Sequence, residues 1–302
     1  MGQNDPNNAQ AVIDAVERLA NVKIENVEGT PLAIVPRGME LQSIKPFLDE
    51  RRDHPERRTG TAVLESVDSF VEYVNRFKSE TNTAIFATDG KDRDEPPALV
   101  GIIDHHQPGG AGEARFCLHR TAYRFPLSEQ WIAWMRADGN QISQEAFAEF
   151  IEDRLLDVRE PSEAGKSAAK FAADFGLKLA SPAQLRDLSR GLSVRVNQIA
   201  AQKINTTTGE TTLAFSEDHA ADDGTPIAVP GGFILGIPVF HAGAPYQIEA
   251  RLRYRVHGKA VHWTVKLHRT DRVFQHAFDE AVALVAEKTG CVVFRGHPES
   301  LR

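Results

Sequence analysis

Between Gln247 and His268 every second position is apolar and the positions between are mostly basic or polar. Ile248, Ala250, Leu252, Tyr254 and Val256 alternate with Glu249, Arg251, Arg253, Arg255 and His257. Beyond Gly258 and Lys259, Val261, Trp263, Val265 and Leu267 alternate with His262, Thr264, Lys266 and His268. Successive side chains of a strand point to opposite faces, so the pattern predicts two half-buried strands. A two-residue turn that begins with glycine suits a type II′ hairpin, which pairs His257 with Ala260, Arg255 with His262 and Tyr254 with Trp263. One face of this hairpin is then apolar and the other cationic.

Elsewhere the pattern predicts four regions. In residues 1–60, Val12, Val16 and Leu19 have helical spacing, and Val22 to Pro36 reads as an extended arm. Residues 61–158 begin with a helix N-capped by Ser66, with Phe70, Val74 and Phe77 on one face. Thr83 to Thr88, Ala98 to His106 and Arg115 to Phe125 then read as strands. Their links are too short for a crossover helix, so they predict an antiparallel meander. Ser128 and Ser143 start two further helices, which turn Trp131, Trp134 and Met135, then Phe147, Phe150, Ile151 and Leu155, inward. Residues 159–180 are small, polar and Ala-rich, and read as a linker or a loosely held helix.

Residues 181–302 open on the capping box Ser181-Pro182-Ala183-Gln184. A strand at Glu210 to Phe215 follows. Thr225 to Phe240 is apolar but interrupted by Pro226, Pro230, Gly231, Gly232, Gly236 and Pro238, and predicts irregular backbone. After the hairpin come a helix from Val273 to Lys288, closed by Gly290, and a short strand, Val292 to Arg295. The expected fold class is α+β, with two antiparallel sheets flanked by helices. Leu-His-Arg-Thr occurs at Leu118 to Thr121 and again at Leu267 to Thr270, which raises two similar halves as an alternative plan.

Composition narrows the function classes. The 302 residues are 41% hydrophobic and carry a formal net charge of −7, ordinary for a globular protein and opposed to a generic DNA-coating one. Met1 to Gln10 carries no basic and then apolar leader, and no run is long enough to span a bilayer, so a cytoplasmic protein without a membrane partner is expected. The two cysteines, Cys117 and Cys291, suit buried thiols in a reducing compartment.

Several segments resemble the YfdQ-like family of phage and prophage proteins. The similar stretches are Ser69-Phe70-Val71-Glu72-Tyr73-Val74-Asn75-Arg76, His106-Gln107-Pro108, Pro126 to Trp131 with Trp134, and Phe147 to Asp153. Leu235 to Phe240, Ala250 to Arg255 and Leu267-His268-Arg269 continue the likeness. The resemblance implies a phage or prophage origin and host cytoplasm. That family is a domain of unknown function, so it supplies no catalytic residues.

The residues themselves offer three classes of chemistry. Arg251, Arg253, Arg255, His262 and Lys266 share the cationic hairpin face, and guanidinium groups take phosphate oxygens in bidentate fashion. This predicts a non-enzymatic protein, without a cofactor, that binds nucleic acid or a nucleotide. The bland alternative is a solvated or helix-covered face whose arginines meet acidic neighbours such as the helix bearing Glu145, Glu149, Glu152, Asp153 and Asp157.

Pro226 to Phe240 predicts a second class, a subunit or partner interface anchored by Pro230, Phe233, Ile237 and Phe240, because unpaired backbone is hard to bury inside one subunit. A homo-oligomer, or a factor that docks on a host protein such as a component of antiviral defence, follows from it. The third class is a metal-dependent phosphoesterase, since Asp104-His105-His106 resembles the DHH signature, with Asp89, Asp92 and Asp94 as further ligands. Topology opposes it, because alternation separates His105 from Asp104 and His106 and the acidic loop falls near the other strand end. Cys117, His119 and His105 form a weaker zinc candidate. Gly165-Lys166-Ser167 lacks the preceding glycine and strand of a phosphate-binding loop.

Overall fold

The computed structural model describes residues 10–11, 14–16, 23–27, 30–34, 50–90, 96–109, 114–190, 229–257 and 260–300. The strand expected at Glu210 to Phe215, the Gly258-Lys259 turn and Asp92 and Asp94 fall outside them. The chain divides into Met1–Arg58 and Thr59–Arg302. In the first unit the extended arm is a hairpin, β1 (Lys23–Val27) antiparallel to β2 (Thr30–Ile34).

The second unit is α+β, with two mostly antiparallel sheets. In the first, β4 (Ala84–Thr88), β5 (Ala98–Ile102) and β6 (His119–Arg124) form the expected antiparallel meander. Two further strands flank it in parallel: β3 (Gly60–Leu64) beside β6, and β13 (Val292–Arg295) beside β4. The second sheet runs β7 (Gln141–Ser143), β12 (Ala260–Leu267), β11 (Pro245–His257), β10 (Gly232–Pro238) and β8 (Val158–Arg159), with β9 (Leu179–Ala180) also pairing with β10. The sheets therefore exchange strands between halves of the sequence: the C-terminal strand completes the first, and β7 and β8 complete the second. The Leu-His-Arg-Thr repeat marks no duplication, since His119 opens β6 whereas Leu267 ends β12.

Local signals set the helices. Ser66 caps α1 (Val67–Phe77) by accepting the Ser69 N–H at 3.1 Å. Ser128 does the same for α2 (Glu129–Ala137) and Ser143 for α3 (Gln144–Asp153). The segment read as a linker or a loosely held helix holds α4 (Gly165–Phe175), ended by Gly176 at φ 60°. Its apolar stripe is thin, Ala168 and Phe171, which explains why composition read as a spacer. The capping box is formed reciprocally: Ser181 N–H donates to Gln184 Oε1 and Gln184 N–H to Ser181 Oγ, at the head of α5 (182–190). Beyond β12, α6 (Thr270–Thr289) packs against α1, β11 and β13.

One core joins both sheets. Phe125 at the end of β6 meets Phe240 at 5.0 Å and Phe278 of α6 at 5.4 Å, while Trp134 of α2 meets Phe233 of β10 at 5.6 Å. The run expected to be irregular lies outside the described residues at 225–228, and its described part holds the interior strand β10, with its backbone paired to β11 on one side and to β8 and β9 on the other. Phe233 and Ile237 are fully buried and Phe240 nearly so, and Pro230 is half-buried. Phe233, Ile237 and Phe240 pack within their own chain, so these three expected interface residues are not available to a partner, and pairing with β11 satisfies the β10 backbone that argued for one.

Candidate functional site

The β11-β12 hairpin has the register its alternation predicts, with Arg255 opposite His262, Tyr254 opposite Trp263 and His257 opposite Ala260. Its apolar parity faces the core: Ile248, Ala250, Leu252, Val261, Trp263, Val265 and Leu267 are buried. Phe147 of α3 stacks on Trp263 at 4.9 Å with an interplanar angle of 19°, and the indole N–H donates to Gln144 Oε1. The acidic helix α3 therefore packs against the apolar side of the hairpin. Its Glu152 pairs with Arg190 of α5. Asp157, just beyond it, accepts the Trp134 indole N–H at 2.7 Å, and burial holds its carboxyl above the usual range.

Tyr254 also lies on the packed face, and burial pushes its phenol up to about 12. Tyr246 reaches about 12 through burial and its bond to Glu280. Below the ordinary value of 10.0 both folded and unfolded phenols are neutral and stability is unaffected. Above it the unfolded chain loses these protons first, so stability falls as pH rises from 10.0 towards 12. Absorbance titration of the tyrosines should accordingly find late-ionising phenols, one of which disappears in Tyr254→Phe. If that substitution leaves the late phase intact, Tyr254 is not packed as described.

The polar parity of the hairpin divides into a covered and an open part. At the covered end α4 lies across the sheet: Ser167 Oγ donates to Glu249 Oε1 at 2.8 Å and accepts from Gln247 Nε2 at 2.8 Å. Phe171 meets His268 at 5.3 Å. The Arg251 guanidinium lies over the Phe175 ring, 4.7 Å from its centroid. Lys266 pairs with Asp138 at 2.9 Å, and Asp138 also accepts the Leu267 N–H.

Beyond Arg251 the strand continues past the end of β10, whose Gly232 is its last partner. Here Arg253 and Arg255 are exposed, and neither makes a hydrogen bond or ion pair among the described residues. Across the sheet, Arg253 faces Thr264 and then Gln141, and Arg255 faces His262 and then Ser143. Of the five expected contacts, Arg253 and Arg255 form the open cationic centre with His262 beside them, while Arg251 and Lys266 are engaged within the fold. Sequence reasoning missed Phe175, Gln141 and Ser143 as neighbours. Only the Phe175-Gly176 helix end carried a local signal, an αL-capping glycine.

The metal candidates separate. Both Asp104 carboxylate oxygens accept backbone N–H groups, of Leu118 at 3.0 Å and His119 at 2.9 Å, so this residue closes a loop. His106 Nδ1 accepts the Arg115 N–H at 2.9 Å, and His106 Nε2 lies 3.6 Å from Cys117 Sγ. Cys117 stands at φ 53°, which breaks the alternation that was to align it with His119. It packs with Phe86 and Ile102, whereas His119 meets Tyr73 of α1 at 3.0 Å. Burial, with the charges of Asp104 and Glu299, raises the Cys117 thiol. Among the described residues no group of three His, Cys, Asp or Glu could hold a metal ion. No described helix is long and apolar enough to cross a membrane.

A family model described as "Uncharacterized conserved protein (DUF2303)" matches residues 6–298. No curated protein and no solved structure matches.

Proposed function

The chain belongs to the DUF2303 family, and from that premise we propose that it is a non-enzymatic protein of phage or prophage origin that binds the phosphate backbone of nucleic acid through the open hairpin face. The observation that carries this reading is the pair Arg253 and Arg255, exposed on one face of β11 without a protein anion among the described residues. Two arginines at alternate positions of one strand, about 6.6 Å apart along its backbone, repel each other unless water or anions lie between them, and phosphate oxygens are among the anions that fit the guanidinium fork. The acidic helix α3 does not relieve them, because it packs on the opposite side of the sheet through Phe147 and Trp263. The phage origin is supported by the resemblance of Ser69 to Arg76, Phe147 to Asp153 and Ala250 to Arg255 to phage and prophage proteins.

A gel shift with labelled DNA and RNA, each single-stranded and duplex, tests this. The wild-type chain is expected to retain nucleic acid with an affinity that falls as salt rises. The double variant Arg253→Glu, Arg255→Glu should lose at least tenfold in affinity with unchanged circular dichroism. Equal retention by the variant, or no retention by the wild type, overturns the assignment.

A further inference from the structure

We propose that the nucleic acid this face accepts is single-stranded, with one phosphodiester backbone running along β11 and a base stacked at the Arg251-Phe175 pair. The inference rests on the phosphate-binding reading above and adds the strandedness of the ligand.

The cations form one line. Arg253 and Arg255 project from alternate positions of a single strand, about 6.6 Å apart along the backbone and close to the repeat between successive phosphates of one extended strand, and Arg251, seated over Phe175, stands next in the same line. The neighbouring strand β12 adds no second row of the same kind, since opposite the three arginines it carries Lys266, held by Asp138 at 2.9 Å, the neutral Thr264, and the single His262. A duplex offers two backbones across a major groove about 12 Å wide, and a protein that straddles it needs cations on both sides. This face serves one.

At the covered end of that line stands a flat aromatic element. Phe175 is 43% exposed at the last turn of α4. Its ring carries the Arg251 guanidinium at 4.7 Å and is braced edge-on by Phe171 at 5.1 Å and His268 at 6.0 Å. An exposed phenyl and a guanidinium plane are the surfaces on which unpaired bases stack, and every base has a face to offer them. Bases inside a duplex are already stacked and present only their edges. Helix α4 thus supplies the stacking element and β11 the phosphate contacts.

Fluorescence anisotropy with a labelled deoxythymidine oligomer of about 20 nucleotides, alone and annealed to its deoxyadenosine complement, tests the proposal. The single strand is expected to bind at least tenfold more tightly than the duplex, with log K falling against log salt at a slope of about −1.4 to −2. Phe175→Ala should weaken single-strand binding roughly fivefold to a hundredfold and leave the salt slope unchanged, because stacking releases no counterions. Arg253→Gln should instead flatten the slope by about 0.7.

Phe175→Leu keeps the apolar contact with Phe171 and removes the π face, so it should match Phe175→Ala in binding while its thermal melt stays near wild type. Equal or tighter duplex binding overturns the single-strand inference and leaves the phosphate-binding reading standing. So does single-strand binding that neither Phe175 variant weakens. No binding to either form overturns both.

Discussion

Trp263→Ala is expected to lower the unfolding free energy by about 3–5 kcal/mol, the largest loss from any single side chain of the hairpin. The indole is fully buried, stacked on Phe147 and 5.4 Å from Tyr254 opposite it. Its removal leaves a cavity between β12 and α3 that two ordered elements cannot close without moving apart. It also takes the donor from Gln144 Oε1, whose side chain bonds Ser189 O at its other end and so links α3 to α5. Urea denaturation followed by far-ultraviolet circular dichroism measures the cost, and a value under about 1 kcal/mol would contradict the packing described. Trp263→Phe keeps an aromatic stack and should cost less than half as much. The basic face shares its backbone with this contact, so Trp263→Ala should also weaken nucleic-acid binding although the indole lies on the far side of the sheet.

The hairpin was legible in the sequence because two local signals agree. Its period of two assigns each residue to a face, and a Gly-first turn of two residues pins the register, so a slip by one would have put the arginines into the core. The helix starts at Ser66, Ser128, Ser143 and Ser181 were legible for a similar reason, since each cap is a side-chain bond made within three residues. Strand β10 was not. A strand buried on both faces does not alternate, and Phe233, Ile234 and Leu235 are all fully buried. Its Pro238 sits at the last residue of the strand, where a missing N–H does least harm, but in the sequence it reads as a breaker.

The pairings of β13 with β4 and of β7 with β12 join residues far apart in the chain, and nothing local announces them. The charge of the face was overestimated in the same way. Five basic residues share one parity, yet Arg251 and Lys266 are engaged by Phe175 and Asp138, partners that come from α4 and the end of α2. Periodicity tells which side chains share a face; only tertiary contacts tell which remain available to a ligand.

Gly232→Val should cost about 3 kcal/mol, whereas Gly236→Ala on the same strand should cost under about 1 kcal/mol, although a Cβ is crowded at both. At Gly232 the added carbon would lie 2.6 Å from the backbone oxygen of Ala250 and 3.5 Å from Leu179 Cδ2. A backbone oxygen in the middle of a paired strand cannot give way without parting β10 from β11. At Gly236 the nearest atoms belong to the Arg159 side chain, Nε first and then Cδ at 2.9 Å, and Arg159 is exposed and can swing into water. The two crowded glycines therefore differ in what yields.

Gly232 also pairs with Arg251, at the point where β11 runs on without its inner neighbour. Separation there moves the guanidinium off Phe175 and uncouples the stacking element from the phosphate line. Urea denaturation of both variants gives the stabilities, and anisotropy of the folded fraction with the single-stranded oligomer gives the binding. The expected result is a large stability loss with weakened binding for Gly232→Val and near-native behaviour for Gly236→Ala. Equal costs at the two positions would mean that β11 yields as easily as an exposed arginine side chain, and the rigid frame assigned to the face would be wrong.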